Sequence, residues 1–103
     1  MAKERQTRPA TLEQACGRVI VQLREDQGLS QMDLAVATGY SLRYIGDVER
    51  GAKSATLRTM KDLATLLNLR LGDLISRAER LLSYRDRENR TKVQVSKHVD
   101  KAR

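Results

Sequence analysis

A chain of 103 residues, 40% apolar and 32% charged, has room for one small folded domain, which excludes a multi-lobed enzyme and a wholly disordered polyelectrolyte. With no Trp, no Phe and three Tyr there are too few aromatic platforms to stack unpaired bases, and one Cys with one His cannot complete a disulfide or an ordinary zinc site, so neither metal nor cofactor is expected. Lys and Arg exceed Asp and Glu by 20 to 13, a formal +7 that favours an anionic partner, nucleic acid or membrane surface, without choosing between them.

Residues 1–10 are expected to form a flexible N-terminal arm. The stretch is polar, lacks the apolar run of a signal peptide, and contributes Lys3, Arg5 and Arg8 against Glu4. No later run reaches the length of a membrane span, so the chain reads as a soluble protein of the reducing cytoplasm.

From Thr11 on, the apolar residues follow helical spacing. Leu12, Ala15, Cys16, Val19, Ile20 and Leu23 form one stripe, Thr11 with Gln14 reads as a capping box, and Gly28 is placed to end the helix. Ser30 with Asp33 repeats the cap logic for a short second helix with Leu34 and Ala35 inward, broken at Gly39. Ser41 caps a third, in which Ile45 and Val48 face inward, until Gly51 stops it. Leu57, Met60, Leu63, Ala64 and Leu67 define a fourth stripe ending near Asn68, and Leu71, Leu74, Ile75, Ala78, Leu81 and Leu82 a fifth.

From Tyr84 to Arg103 the chain is mostly charged, with seven basic residues against three acidic. It reads as a largely unstructured basic tail, although Lys92-Val93-Gln94-Val95 alternates like a short strand. Segment 12–83 holds ten basic and nine acidic residues, so most of the excess charge lies in the tails. The expected fold is therefore all-α: a five-helix domain over 11–83 between basic tails.

Two short helices joined by a tight glycine turn and braced by flanking helices are a helix-turn-helix arrangement, whose second helix has the width to enter the DNA major groove. The sequence resembles the lambda-repressor and Cro type of this motif, also called the xenobiotic-response-element type. The match runs through Leu23-Arg24, Gly28-Leu29-Ser30-Gln31, Leu34-Ala35, Gly39-Tyr40-Ser41, Tyr44-Ile45, Val48-Glu49-Arg50-Gly51 and Leu57 to Ala64. It departs from the family at Ala55, where Pro is frequent, at Gly46, where Ser is frequent, and at Arg70, where a Ser or Asp cap is usual. Gly46 lowers helix propensity by up to about 1 kcal/mol relative to Ala.

The resemblance implies a lambda-repressor-like fold and roles for particular residues. Ser41, Leu42, Arg43 and Asp47, expected on the outward face of the third helix, are the candidate base readers. Arg43 suits a guanine edge and Leu42 a thymine methyl, while Asp47 could accept from a cytosine amino group or pair with Arg43. Gln31, at the start of the second helix, is similar to the family's phosphate-contacting glutamine, and Tyr44, Arg50, Lys53 and Ser54 line an edge suited to phosphate contacts. Ile45, Val48, Leu34, Ala35 and Cys16 read as core, and Glu49 as a structural partner of Arg24 or of a backbone amide.

The fifth stripe is wider than one small core requires, so Leu71, Leu74, Ile75, Ala78, Leu81 and Leu82 are read as a homodimer interface. The expected function is a transcriptional regulator that binds double-stranded DNA at a palindromic operator as a homodimer, with residues 41–50 in the major groove. The alternative is an antitoxin that represses its own operon through the same motif and binds a protein partner, its toxin, through the tail. No paired carboxylates, activated nucleophile or phosphate-cradling loop supports an enzyme.

Overall fold

The structure, a computed structural model, describes residues 8–92, with side chains described up to Leu82. Five helices follow one another: α1 (Leu12–Asp26), α2 (Gln31–Thr38), α3 (Leu42–Arg50), α4 (Leu57–Leu66) and α5 (Leu71–Lys92). The fold is all-α, and α1 lies at its centre, packed against α3 on one side and α5 on the other, while α2 bridges α3 and α4.

The helix limits follow from side-chain chemistry at the ends. Thr11, Ser30, Ser41 and Thr56 each accept a hydrogen bond from the backbone N–H three residues on, which satisfies a donor the first turn leaves without a helical partner. Ser30 and Asp33 form a reciprocal capping box, with the Ser30 N–H donating to Asp33 Oδ2 at 2.8 Å. That bond and the Ser30 hydroxyl hold the Asp33 carboxyl below its ordinary pKa. Gln14 reaches one residue further back than a capping box requires, accepting from Ala10 N–H at 2.8 Å. Pro9 just before it is buried, so the end of the expected flexible arm lies against the domain. At the other ends, α1 and α4 close with paired backbone bonds, Leu29 N–H to Arg24 O at 3.0 Å and Leu69 N–H to Ala64 O at 2.8 Å.

The core is the expected set of stripes. Ile20, Leu34, Ile45, Leu63, Leu67 and Leu74 are the largest fully buried side chains, joined by small residues such as Ala15, Ala64 and Ala78 that let the helices approach. Three expectations are corrected. Leu57 is 73% exposed, and Thr59 is buried two positions along, because α4 starts only at Leu57 and turns its first residue outward. Leu74 and Ala78 are fully buried within the chain's own core and cannot serve as a dimer surface, while Leu71, Ile75, Leu81 and Leu82 pack partly against that core. Finally, α5 runs to Lys92 instead of ending near residue 83, since no Gly or Pro follows Gly72 to interrupt propagation. The strand-like alternation at Val93 and Val95, His98, and the segment assigned to a toxin contact beyond Lys92 lie outside the described residues.

The crossing of α1 and α3 depends on two glycines. A Cβ on Gly17 would sit 2.6 Å from the Val48 carbonyl oxygen, and one on Gly51 would sit 2.6 Å from Gln14 Cα. Gly51 also has φ +73°, a left-handed conformation that disfavours any side chain. With both positions bare, the backbones of α1 and α3 nearly touch. Gly17→Ala must push them apart and is expected to cost about 2 to 3 kcal/mol in urea unfolding. Gly72→Ala, whose Cβ would meet nothing within 4 Å, is expected to stabilise by up to about 1 kcal/mol in the same assay.

Candidate nucleic-acid interface

The α2–turn–α3 unit is held by two polar networks. At its open end, Glu49 on α3 has a side chain only 4% exposed, and its carboxylate is fully engaged. Arg24 Nε donates to Oε2 at 2.7 Å and Nη2 to Oε1 at 3.2 Å, while Gln31 Nε2 donates to Oε1 at 2.7 Å. The remaining Arg24 nitrogen, Nη1, donates to the Leu29 carbonyl at 2.9 Å. One carboxylate thus ties the end of α1, the start of α2 and the second half of α3, and its hydrogen bond to Arg24 raises the guanidinium pKa further, against the opposing effect of burial. The structural role read for Glu49 holds, with Arg24 as partner.

The second network lies at the turn. Gly39 ends α2 with φ +86°, Thr38 Oγ1 donates to the Leu34 carbonyl at 2.7 Å, and Tyr40 N–H donates to Thr38 Oγ1 at 3.3 Å. Tyr40 then reaches α4, donating its hydroxyl to Asp62 Oδ2 at 2.7 Å and accepting from Thr59 Oγ1 at 3.3 Å. Tyr44 stacks edge-on against Tyr40 with centroids 5.4 Å apart, and its hydroxyl is 3.3 Å from Thr59 Oγ1. The first turn of α3 is thereby fastened to α4.

On this frame the candidate readers separate. Ser41, Leu42 and Arg43 are exposed at the first turn of α3. The Ser41 hydroxyl is used as the cap, accepting from Tyr44 N–H at 3.0 Å, and Leu42 keeps 42% of its surface open. Arg43 makes no hydrogen bond or ion pair among the described residues. Asp47 departs from the expectation: it is buried, not outward-facing, and it pairs with Arg50 and Lys53 instead of Arg43. α3 is covered on several sides from Ile45 to Glu49, and the i+3 guanidinium of Arg50 reaches Asp47 across the bare backbone of Gly46 in place of the i−4 one.

The expected phosphate contacts are also redistributed. Arg50 and Lys53 project outward, with side chains 65% and 60% exposed. Gln31 spends one donor on Glu49, Tyr44 turns its hydroxyl onto α4, and Ser54 donates to Glu13 Oε2 at 3.0 Å. Tyr40, Thr59 and Asp62 fall within the stretches matched in the sequence but were given no role there, because no local pattern links the turn to α4. Cys16 is buried, and desolvation first, then the charge of Glu13, push its thiol up, which makes it a weak nucleophile. No group of three or more His, Cys, Asp or Glu suited to a metal ion occurs among the described residues, and no helix there is long and apolar enough to cross a membrane.

This geometry is that of the helix-turn-helix motif, and comparison with known proteins agrees. The helix-turn-helix family pattern matches residues 20–74, more than half of the chain, and the protein belongs to that family, of the lambda-repressor and Cro type. The HTH-type transcriptional regulator DdrOP3 of Deinococcus deserti is 34% identical over 58 residues, which are 56% of this chain and 45% of that protein. The HTH-type transcriptional regulator SutR of Escherichia coli is 42% identical over 55 residues, 53% of this chain and 31% of that protein. The chain thus spans less than half the length of either regulator. Among solved structures, the restriction-modification controller protein C.AhdI from Aeromonas hydrophila superposes with a TM-score of 0.59 at 36% identity, covering 64% of this chain and 98% of that one. The clp gene regulator ClgR from Corynebacterium glutamicum does so with a TM-score of 0.64 at 26% identity, covering 68% and 91%.

Removing the central carboxylate tests how far the frame depends on it. Glu49→Ala leaves the partly buried Arg24 without its counter-charge and is expected to destabilise by about 2 to 3 kcal/mol in chemical denaturation. Glu49→Gln, which keeps one acceptor, is expected to cost clearly less.

Proposed function

We propose that the protein is a transcriptional regulator that binds double-stranded DNA sequence-specifically through α3. The observation that carries this reading is the exposed first turn of α3, with Leu42 and Arg43 standing on a helix clamped at both ends. A major-groove reader has to present a few side chains at a fixed angle, because a bidentate contact is lost with small misorientation. Arg43 then reads a guanine edge and Leu42 an apolar base edge, while Arg50, Lys53 and the N-terminus of α2 at Gln31 meet the backbone phosphates. The relatives named as transcriptional regulators support the same class of activity.

The regulator acts as a homodimer at an inverted repeat. Burial of Leu74 and Ala78 moves the dimer surface away from their face of the first half of α5. Leu57, 73% exposed, and Leu12, 46% exposed, instead border with Ile75 a mostly apolar cavity of about 140 Å³, and Leu57 with Leu71 lines a neighbouring hollow. Such exposed leucines on a small domain are costly unless covered, and a second copy covers them while setting two α3 helices on one face for successive major grooves.

Selection of bound sites from a random duplex library tests the reading, with enrichment of symmetric sequences expected; no enrichment would overturn it. Arg43→Ala is expected to lose about 1 to 3 kcal/mol of preference for the enriched site over random duplex, measured by binding titration, with the melting temperature unchanged. Leu57→Glu is expected to shift the protein from dimer to monomer in sedimentation velocity and to weaken binding to the symmetric site far more than to a half-site.

A further inference from the structure

A surface that meets a polyanion gains nothing from a carboxylate, yet Asp47 sits at the middle of α3 on the recognition edge. Its side chain is 10% exposed, with Arg50 Nη2 2.5 Å from Oδ1 and Lys53 Nζ 3.5 Å from Oδ2. The two cations lie above it, 65% and 60% exposed, so the acid forms a floor and the cations face outward. Arg50 and Lys53 are its only charged or hydrogen-bonding side-chain partners among the described residues. Gly46 opens the seat: a Cβ there would lie 3.2 Å from Arg50 Nη1, so the guanidinium lies across nearly bare backbone.

This arrangement restrains where the cations can go. Should both leave, Asp47 loses the two cations that cover and neutralise it, and its bare charge is left beside the incoming phosphates. Binding to DNA of arbitrary sequence comes almost wholly from cations following phosphates wherever they fall, and a tethered cation cannot follow. We propose that Asp47 is a specificity-determining residue. It tethers Arg50 and Lys53 so that they accept a backbone phosphate only in the docking register set by the base contacts of Leu42 and Arg43. The proposal rests on the reading of α3 as the groove helix.

The test compares the full-length protein with Asp47→Asn and Asp47→Ser on a random-sequence duplex and on the site enriched by selection, over a range of salt concentrations. Freed cations should tighten random-duplex binding by about tenfold and steepen its salt dependence by about 1 to 2 in log–log slope, while the enriched site gains less, so discrimination falls. In an Arg50→Gln background the effect of Asp47→Asn should shrink to that of removing one negative charge. Unchanged discrimination, equal weakening on both duplexes with a lowered melting temperature, or an effect undiminished in the Arg50→Gln background would each overturn the tether. Failure of the wild-type protein to enrich any site would instead remove the reading of α3, and the tether with it.

Discussion

Both oxygens of the Glu49 carboxylate are occupied, Oε2 by Arg24 and Oε1 by Arg24 and Gln31 together, and the other geometry of the domain is arranged around that buried charge. An ionised carboxylate out of water is tolerable only while its partners hold their places, so the end of α1, the start of α2 and the last turn of α3 are fixed to one another by the cost of separating them. Apolar packing alone would not impose this. Leucine and isoleucine faces slide with modest loss, whereas a two-pronged guanidinium contact tolerates little rotation. The Tyr40, Asp62 and Thr59 contacts do the same at the opposite end of α3, so the helix is held at two points by directional bonds and between them by Ile45 and Val48.

Much of this was legible in the sequence, for identifiable reasons. Caps at Thr11, Ser30 and Ser41 need only one side chain within reach of a nearby amide, and glycine stops need only a local backbone preference, so both are written in short stretches. The inward stripes repeat at helical spacing and were visible on the same basis. What escaped depends on how helices are rotated against each other. Helical spacing leaves Arg43 and Arg50 both within reach of Asp47; from sequence the expected partner is Arg43, and the structure pairs Asp47 with Arg50 across the open backbone of Gly46. The apolar pattern likewise includes Leu57 and Leu74 on equal terms, although one proves exposed and the other sealed. The extent of α5 was missed because charge density argues for solvation, which a helix standing in water satisfies as well as a coil does.

The distribution of charge acquires a different meaning beside the structure. Segment 12–83 is almost neutral by sequence, and near α3 its charges are largely committed: Glu49 to Arg24, Asp47 to Arg50 and Lys53. Arg43 stands apart with no such commitment among the described residues. A surface built this way offers a polyanion modest general attraction and a small number of definite contacts. The basic segments toward both ends of the sequence add long-range attraction without sequence preference.

The exposed pair at the start of α3 has one more consequence. Leu42 and Arg43 lie outside the core and outside both polar networks, so the two side chains that would touch the bases are largely separate from those that decide folding. Replacing either side chain draws on little folding free energy, and a lineage can explore new binding sites through these two codons at small cost to the fold.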